Sequence, residues 1–439
     1  MSMHFLFLLA LPFLSTASAS VVGRHVPHDD HSHRLEQRLP SATWYHHRDH
    51  PVHSLFRRDG DTDGVNYAPV GSSEWAAGYP PEPPTLPDVK SIPASWIAAL
   101  NDAVSRKAIP DIPPSKLDSG GNPTYAGKDP NSPEICSSTY QCRIDGDIWD
   151  APAGSIGLSF DDGPEAGSEK LIAYLKTVNQ PVTHFLIGSN IRDNPDTFLK
   201  IFELGDGICV HTWTHPYMTT LTNEQVVAEL GWTMQIIHNS TGGRVPKFWR
   251  PPYGDSDKRV TAIAKEVFGM TTIIWNQDTD DWSLTDSPPG TTAQKINSSM
   301  HTWLTGPKSP GLIILEHELS DQSVAAFMAA YPVMQQNNWN IMSLADLVGH
   351  NASYQNSDSN TSPVNGVDIV NAKNNSPPSS SSSIAAPSSA SGSKPANSAS
   401  SPASSSPSSP TQKPSSALAQ WTIQPIALIL ATLSFLLLH

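Results

Sequence analysis

Cysteine is scarce, with three residues in a chain of 439. A small secreted scaffold stapled by several bridges is thereby excluded, and stability has to come from a packed core with at most one disulfide. Cys136 and Cys142 are the plausible pair, flanking a short polar loop just ahead of the main apolar-patterned region. Cys209 stands in Gly207-Ile208-Cys209-Val210 and reads as a free, inert strand residue. Positive charge is scarce too. With 27 Lys and Arg against 41 Asp and Glu the formal charge is -14, which argues against nucleic acid, whose phosphates want a basic face, and favours neutral or cationic partners. There is no His-Glu-x-x-His, which disfavours a zinc protease of that type.

Long apolar runs are also missing. The final one, Ile426 to Leu438, has thirteen residues, short of the roughly 20 that span a bilayer. Small residues at Ser415-Ser416-Ala417, then an eight-residue spacer, precede it. That matches the signal for a glycosylphosphatidylinositol (GPI) anchor at Ser415, with 418–439 as the anchor signal and a retained tail anchor as the alternative. At the other end, residues 1–19 carry an apolar run from Phe5 to Leu14 and then Ala17-Ser18-Ala19, a secretory signal peptide. Residues 20–58 are dense in histidine and end at Arg57-Arg58, which suggests a pro-segment that a processing protease removes. A Pro-rich N-terminal extension follows over 59–150, with one helical stretch from Pro93 to Lys107. From 364 to 417 Ser, Pro and Ala dominate, too poor in large apolar residues for a core, so a disordered, O-glycosylated stalk is expected. Sequons at Asn239, Asn297, Asn351, Asn360 and Asn374 agree with the secretory route.

Between residues 151 and 350 short apolar runs alternate with amphipathic segments, the signature of repeated βα units. Candidate strands are Ile156 to Phe160, Val182 to Leu186, Ile208 to His211, Lys247 to Arg250, Thr271 to Trp275, Gly311 to Leu315 and Asn340 to Met342. The clearest helix runs from Thr222 to His238. Val226, Val227, Leu230, Met234 and Ile237 recur at helical steps, and Thr222 with Gln225 forms a capping box. About seven units in some two hundred residues imply an α/β fold, a deformed (β/α) barrel with function at the carboxyl ends of its strands.

The chemistry-bearing residues cluster there. Asp161-Asp162-Gly163-Pro164 ends the first strand. His211 and His215, four residues apart after the third, would share one face of a helical turn and reach one metal. Two histidines and one carboxylate leave a fourth position for water, whose pKa the metal lowers, while the neighbouring aspartate can accept its proton. Arg250-Pro251-Pro252-Tyr253, Asp278-Thr279-Asp280-Asp281-Trp282 and Leu315-Glu316-His317 follow later strands.

In this combination and order the chain resembles the NodB-homology polysaccharide deacetylases, carbohydrate esterase family four, over roughly Ile156 to Leu347. The resemblance implies Asp161 as base and Asp162, His211 and His215 as ligands of one divalent ion, zinc or cobalt. Arg250 would hold Asp161 ionised, Tyr253 would offer its backbone N–H to the oxyanion, and His317 would protonate the leaving amine. Asp278 would favour the charged form of His317, with Asp280 and Asp281 crowding the same loop. Trp282, Leu315 and Tyr253 would line the substrate. The stretches around His211, Ala228 to Gln235, and Arg250 to Asp255 look like fungal chitin deacetylases, which implies a monomeric chitin-acting hydrolase, secreted and held at the cell membrane or wall. The rivals are the same chemistry on another polymer such as acetylated xylan, and a wall-binding module without catalysis. A glycosidase is disfavoured because adjacent aspartates cannot flank a bond from opposite sides.

Overall fold

The computed structural model describes residues 62–81 and 85–370. The expected signal peptide, pro-segment and anchor signal, with Asn374 and Ser415, lie outside the described residues, as does the Ser/Pro/Ala tract from 371. Two short helices, α1 (Ser73–Ala77) and α2 (Ala94–Ser105), and a small hairpin, β1 (Lys116–Leu117) with β2 (Pro123–Thr124), form the N-terminal extension. Cys136 and Cys142 are bridged, and Cys209 is free and buried.

The barrel starts with β3 (Ser155–Asp161), whose seven residues are all buried. The parallel strands β4 (Thr183–Leu186), β5 (Gly207–Val210), β6 (Phe248–Trp249), β7 (Thr271–Thr272), β8 (Gln277–Asp278), β9 (Leu312–Leu315) and β10 (Asn340–Ser343) follow. Neighbours run β7-β6-β5-β4-β3-β9-β8, with β10 also on β3. The length of β3 gives one of its edges room for two partners: Ile156 pairs with Ile341 of β10, and further along Phe160 pairs with His184 of β4. Strand β9 takes the other edge, where Ile156 meets Leu312. Strands β7 and β8 belong to one stretch, 271–278, whose start pairs with β6 and whose end pairs with β9. That single segment closes the ring, giving a deformed (β/α) barrel of seven staves at the positions the apolar alternation predicts.

The connecting helices are α3 (Ser168–Val178), α4 (Gly188–Asp193), α5 (Pro195–Glu203), α6 (Asn223–Ser240), α7 (Lys258–Phe268), α8 (Ala293–Thr305), α9 (Asp321–Gln336) and α10 (Leu344–Gly349). Helix α6 starts where its capping box predicts: Thr222 accepts from Gln225 N, and Gln225 accepts in return from Thr222 N. Val226, Val227, Leu230, Met234 and Ile237 are fully buried, each contributing about 1.5 to 3 kcal/mol. Gly231 lies among them because a Cβ there would sit 2.3 Å from Trp96 Cζ3. Helix α2 of the extension therefore packs directly on α6.

Trp75, Tyr79, Trp96 and Leu100 of the extension share one apolar cluster with α6 and α7. Ile369 and Val370 join the same cluster from the other end, and Asn365 N donates to Asn356 O. The packed chain thus runs through residue 370, beyond the expected start of the stalk at 364. Two large apolar residues at the head of a Ser/Pro/Ala tract are diluted in its average composition. Among the described residues no helix is long and apolar enough to cross a membrane.

Candidate active site

Strand β3 delivers Asp161 at its last position, and Asp162 follows in the left-handed region at φ 74°. Strand β5 leads straight into His211. The expected helical turn from His211 to His215 is absent: this stretch is a loop, with Thr212 and His215 left-handed at φ 67° and 58°. The loop still converges the donors. Asp162 Oδ1 lies 3.1 Å from His211 Nε2 and 3.2 Å from His215 Nε2, and one ligand atom from each residue falls within 4.8 Å of the others. Asp162 Oδ1 is buried and has no hydrogen-bond partner. Donors bound to a tetrahedral zinc at about 2 Å stand roughly 3.3 Å apart, so the triad fits a small divalent cation. His211 Nδ1 is 2.8 Å from the Arg250 carbonyl. That acceptor puts the proton on Nδ1 and leaves the Nε2 lone pair facing the triad.

Asp161 is buried beside the triad. Arg250, fully buried after β6, donates through Nη1 to Asp161 Oδ1 at 2.6 Å, while its guanidinium lies 4.2 Å from the centre of the Phe185 ring. The other oxygen, Oδ2, lies 3.9 Å from His211 Nε2, on the triad side.

His317 reaches the site from the end of β9, with Nε2 4.0 Å from Asp162 Oδ2. Its partner is Asp281, not the expected Asp278. Asp281 Oδ1 lies 2.6 Å from His317 Nδ1, and Oδ2 accepts the His317 backbone N–H at 2.9 Å. Asp278 ends β8 with an exposed side chain that accepts from Asp280 N. The reason is local: Asp280 turns left-handed at φ 55° and starts a short 3-10 turn, Asp281–Thr285, that swings Asp281 inward. Burial opposes a charge on His317, but the Asp281 carboxylate outweighs it and pushes the imidazole up to about 10.

Two exposed aromatics sit beside these groups in the chain. Tyr253, left-handed at φ 58°, stacks on Tyr217 with ring centres 4.1 Å apart and sets an edge against His215. Trp282 follows Asp281 and is 48% exposed. Leu315 is buried at the end of β9. Tyr217 was not anticipated, since a tyrosine after His215-Pro216 carries no chemical signature in the sequence.

The expected glycan sites divide. Asn297 and Asn351 are exposed and Asn239 is half-buried. Asn360 is not an open acceptor: it is buried, its Nδ2 donates to Gly205 O and Asp346 Oδ1, and its Oδ1 accepts from Ser353 N. A sequon records three residues and cannot show that the amide is committed to the tail's packing.

Residues 150–273 match the family model described as polysaccharide deacetylase. Chitin deacetylase 3 of Cryptococcus neoformans var. neoformans is 41% identical over 308 residues, covering 69% of this chain and 72% of that protein. A chitin deacetylase of Amylomyces rouxii is 35% identical over 240 residues, covering 52% of this chain and 56% of that protein. The solved structure of the chitin deacetylase from Colletotrichum lindemuthianum aligns at a TM-score of 0.42 and 21% identity over 47% of this chain and 92% of that one. Identity of that extent with a relative covered over most of its length means that this chain belongs to the polysaccharide deacetylase family and is a hydrolase.

Proposed function

We propose that the protein removes N-acetyl groups from β-1,4-linked N-acetylglucosamine polymers, converting chitin to chitosan and acetate, in remodelling of a fungal cell wall. The observation that carries this reading is the pairing of two differently prepared groups around the Asp162, His211 and His215 triad. Asp161 is tied to a buried arginine, and His317 is tied to a buried carboxylate. One is prepared to take a proton and the other to give one.

When bound, a divalent ion, zinc or cobalt, supplies Lewis acidity that makes water a better nucleophile and polarises the acetyl carbonyl. Asp161 Oδ2 takes the proton of the attacking water, while Arg250 Nη1 holds the other oxygen, Oδ1, in place. The backbone N–H of Tyr253 is offered to the oxygen on which charge develops. His317 holds its proton through Asp281 and gives it from Nε2 to the leaving amine, so the C–N bond breaks to a neutral amino group. Trp282 and Leu315 receive the acetyl methyl and the sugar face. Chitin as substrate is supported by the relatives' names and by aromatic rims suited to pyranose faces.

The reading includes secretion, attachment through a lipid at Ser415, and a monomeric enzyme at the cell membrane or wall. Acetate release from soluble chitin oligomers and from acetylated xylan, each with and without chelator, tests substrate, reaction and metal together. Release from xylan alone would transfer the activity to another polymer. Binding of chitin without acetate would make the protein a wall-binding module.

A further inference from the structure

The metal-ligating histidines are joined by a loop that does not hold its own shape. Thr212 and His215 occupy left-handed backbone, which residues with a Cβ leave unless they are held. The loop is gripped from two sides. On one side its carbonyls are taken at the start of α4, where Gly188 N donates to Thr212 O at 2.9 Å and Ser189 N to Trp213 O at 3.1 Å. On the other side its donors go to a single side chain, Glu229 of α6. Trp213 N and Thr214 N both donate to Oε2 at 2.8 Å, and Thr214 Oγ1 donates to Oε1 at 2.7 Å. His215 N then closes the loop on Thr212 Oγ1 at 3.1 Å.

Glu229 is fully buried, on a helix whose neighbouring inward positions are apolar. An aliphatic residue would be the less costly occupant for packing alone, because a buried carboxylate without a counter-charge is destabilising. Among the described residues no lysine or arginine pairs with it; its partners are the loop's own hydrogen-bond donors. The carboxylate is spent on the path between His211 and His215.

We propose that Glu229 is a positioning residue of the cation site: its carboxylate fixes the loop so that His215 Nε2 meets the same point as His211 Nε2 and Asp162 Oδ1. Without it, two buried N–H groups lose their acceptor and the loop relaxes, carrying His215 away from the other donors. The inference rests on the cation reading of the triad and adds the residue that sets its geometry.

The test uses the purified full chain and zinc ion alone, with affinity read by competition against a chromophoric chelator and thermal midpoints measured on metal-free protein. Glu229→Asp keeps the charge but is one methylene too short to span to the loop. Its zinc dissociation constant should rise by about 10 to 100 fold, as expected when a group supporting a ligand is lost. Glu229→Gln keeps the length and one oxygen for both N–H groups, so it should bind zinc more tightly than the Asp variant. Ile237→Ala, on the same helix and away from the loop, is the control for loss of stability alone. Zinc held by Glu229→Asp as tightly as by the unaltered protein would overturn the proposal. Loosening no greater than in an Ile237→Ala control of equal thermal midpoint would do the same. So would looser zinc in Glu229→Gln than in Glu229→Asp, since charge and not reach would then be what the donors need. If the Asp variant does not fold, Thr214→Val, which removes the contact to Oε1, replaces it and must loosen zinc. Failure of the unaltered protein to bind zinc would instead refute the cation reading itself.

Discussion

Replacing Asp281 with asparagine keeps the shape of the pair with His317 and removes its charge. In the folded chain His317 is buried, which by itself would push an imidazole below its ordinary value near 6.5; the Asp281 carboxylate at 2.6 Å, with Asp162 and Asp161 adding to it, reverses this and lifts it to about 10. An opposite charge at that range is worth about 1 to 3 pKa units. The alkaline limb of kcat/KM, which reports loss of the acid's proton, should move down by about that amount in Asp281→Asn, with the acid limb moving less. At a pH two units above the new limb the variant should have lost about a hundredfold of its rate from deprotonation alone. The same pair acts on stability. Between about 6.5 and 10 the folded chain keeps a proton that the unfolded chain has released, so the contribution is complete below that window and is lost as pH rises through it. The assay is a pH–rate profile on chitin tetramer with both proteins loaded with the same metal. An alkaline limb that stays in place in an active, metal-loaded variant would refute the assignment of His317 as the acid held by Asp281.

Asp162→Ala and His211→Ala should each lose bound zinc and activity together, as metal analysis of the purified variants will show, because each removes one of three converging donors. Asp161→Asn should retain zinc while turnover falls by about a hundred to ten thousand fold, the usual worth of a positioned base, read by acetate release. Gly231→Ala should lower the thermal midpoint with a loss of about 1 to 3 kcal/mol, because its Cβ would meet Trp96 and Phe268. Asn360→Gln should leave the glycan ladder of the secreted protein unchanged and lower stability, whereas Asn297→Gln and Asn351→Gln, at exposed positions, should each remove a step.

Seven staves were legible because apolar runs such as Ile156 to Phe160 and Ile208 to Val210 are bounded by polar turns and fully buried. The donors Asp162, His211 and His215 were legible because residue type and strand-end position are written in the chain. What the sequence could not convey was side-chain direction after a left-handed residue. Asp278 stands at the strand end where a partner for His317 belongs, but the backbone reversal at Asp280 hands that place to Asp281. The same holds for His211 and His215, whose spacing suits a helical turn while the chain forms a loop held from outside by Glu229. Asn360 and the last residues before 371 were misread for a related reason: burial of a tail depends on partners such as Arg244 more than a hundred positions away.

Strand β3 is the first stave to be made and the last to be completed. Its edges wait for β9 and β10, and Asn340 bonds to Ser155 across 185 positions. At synthesis rates of about 5 to 20 residues per second, the start of this fully buried strand waits on the order of ten seconds or more for β9 and β10 to exist. A nascent chain halted short of residue 340 therefore leaves one edge of Ser155 to Leu158 open, while Asp161, paired with Phe185 of β4, lacks Arg250 and His317 until those residues have been made.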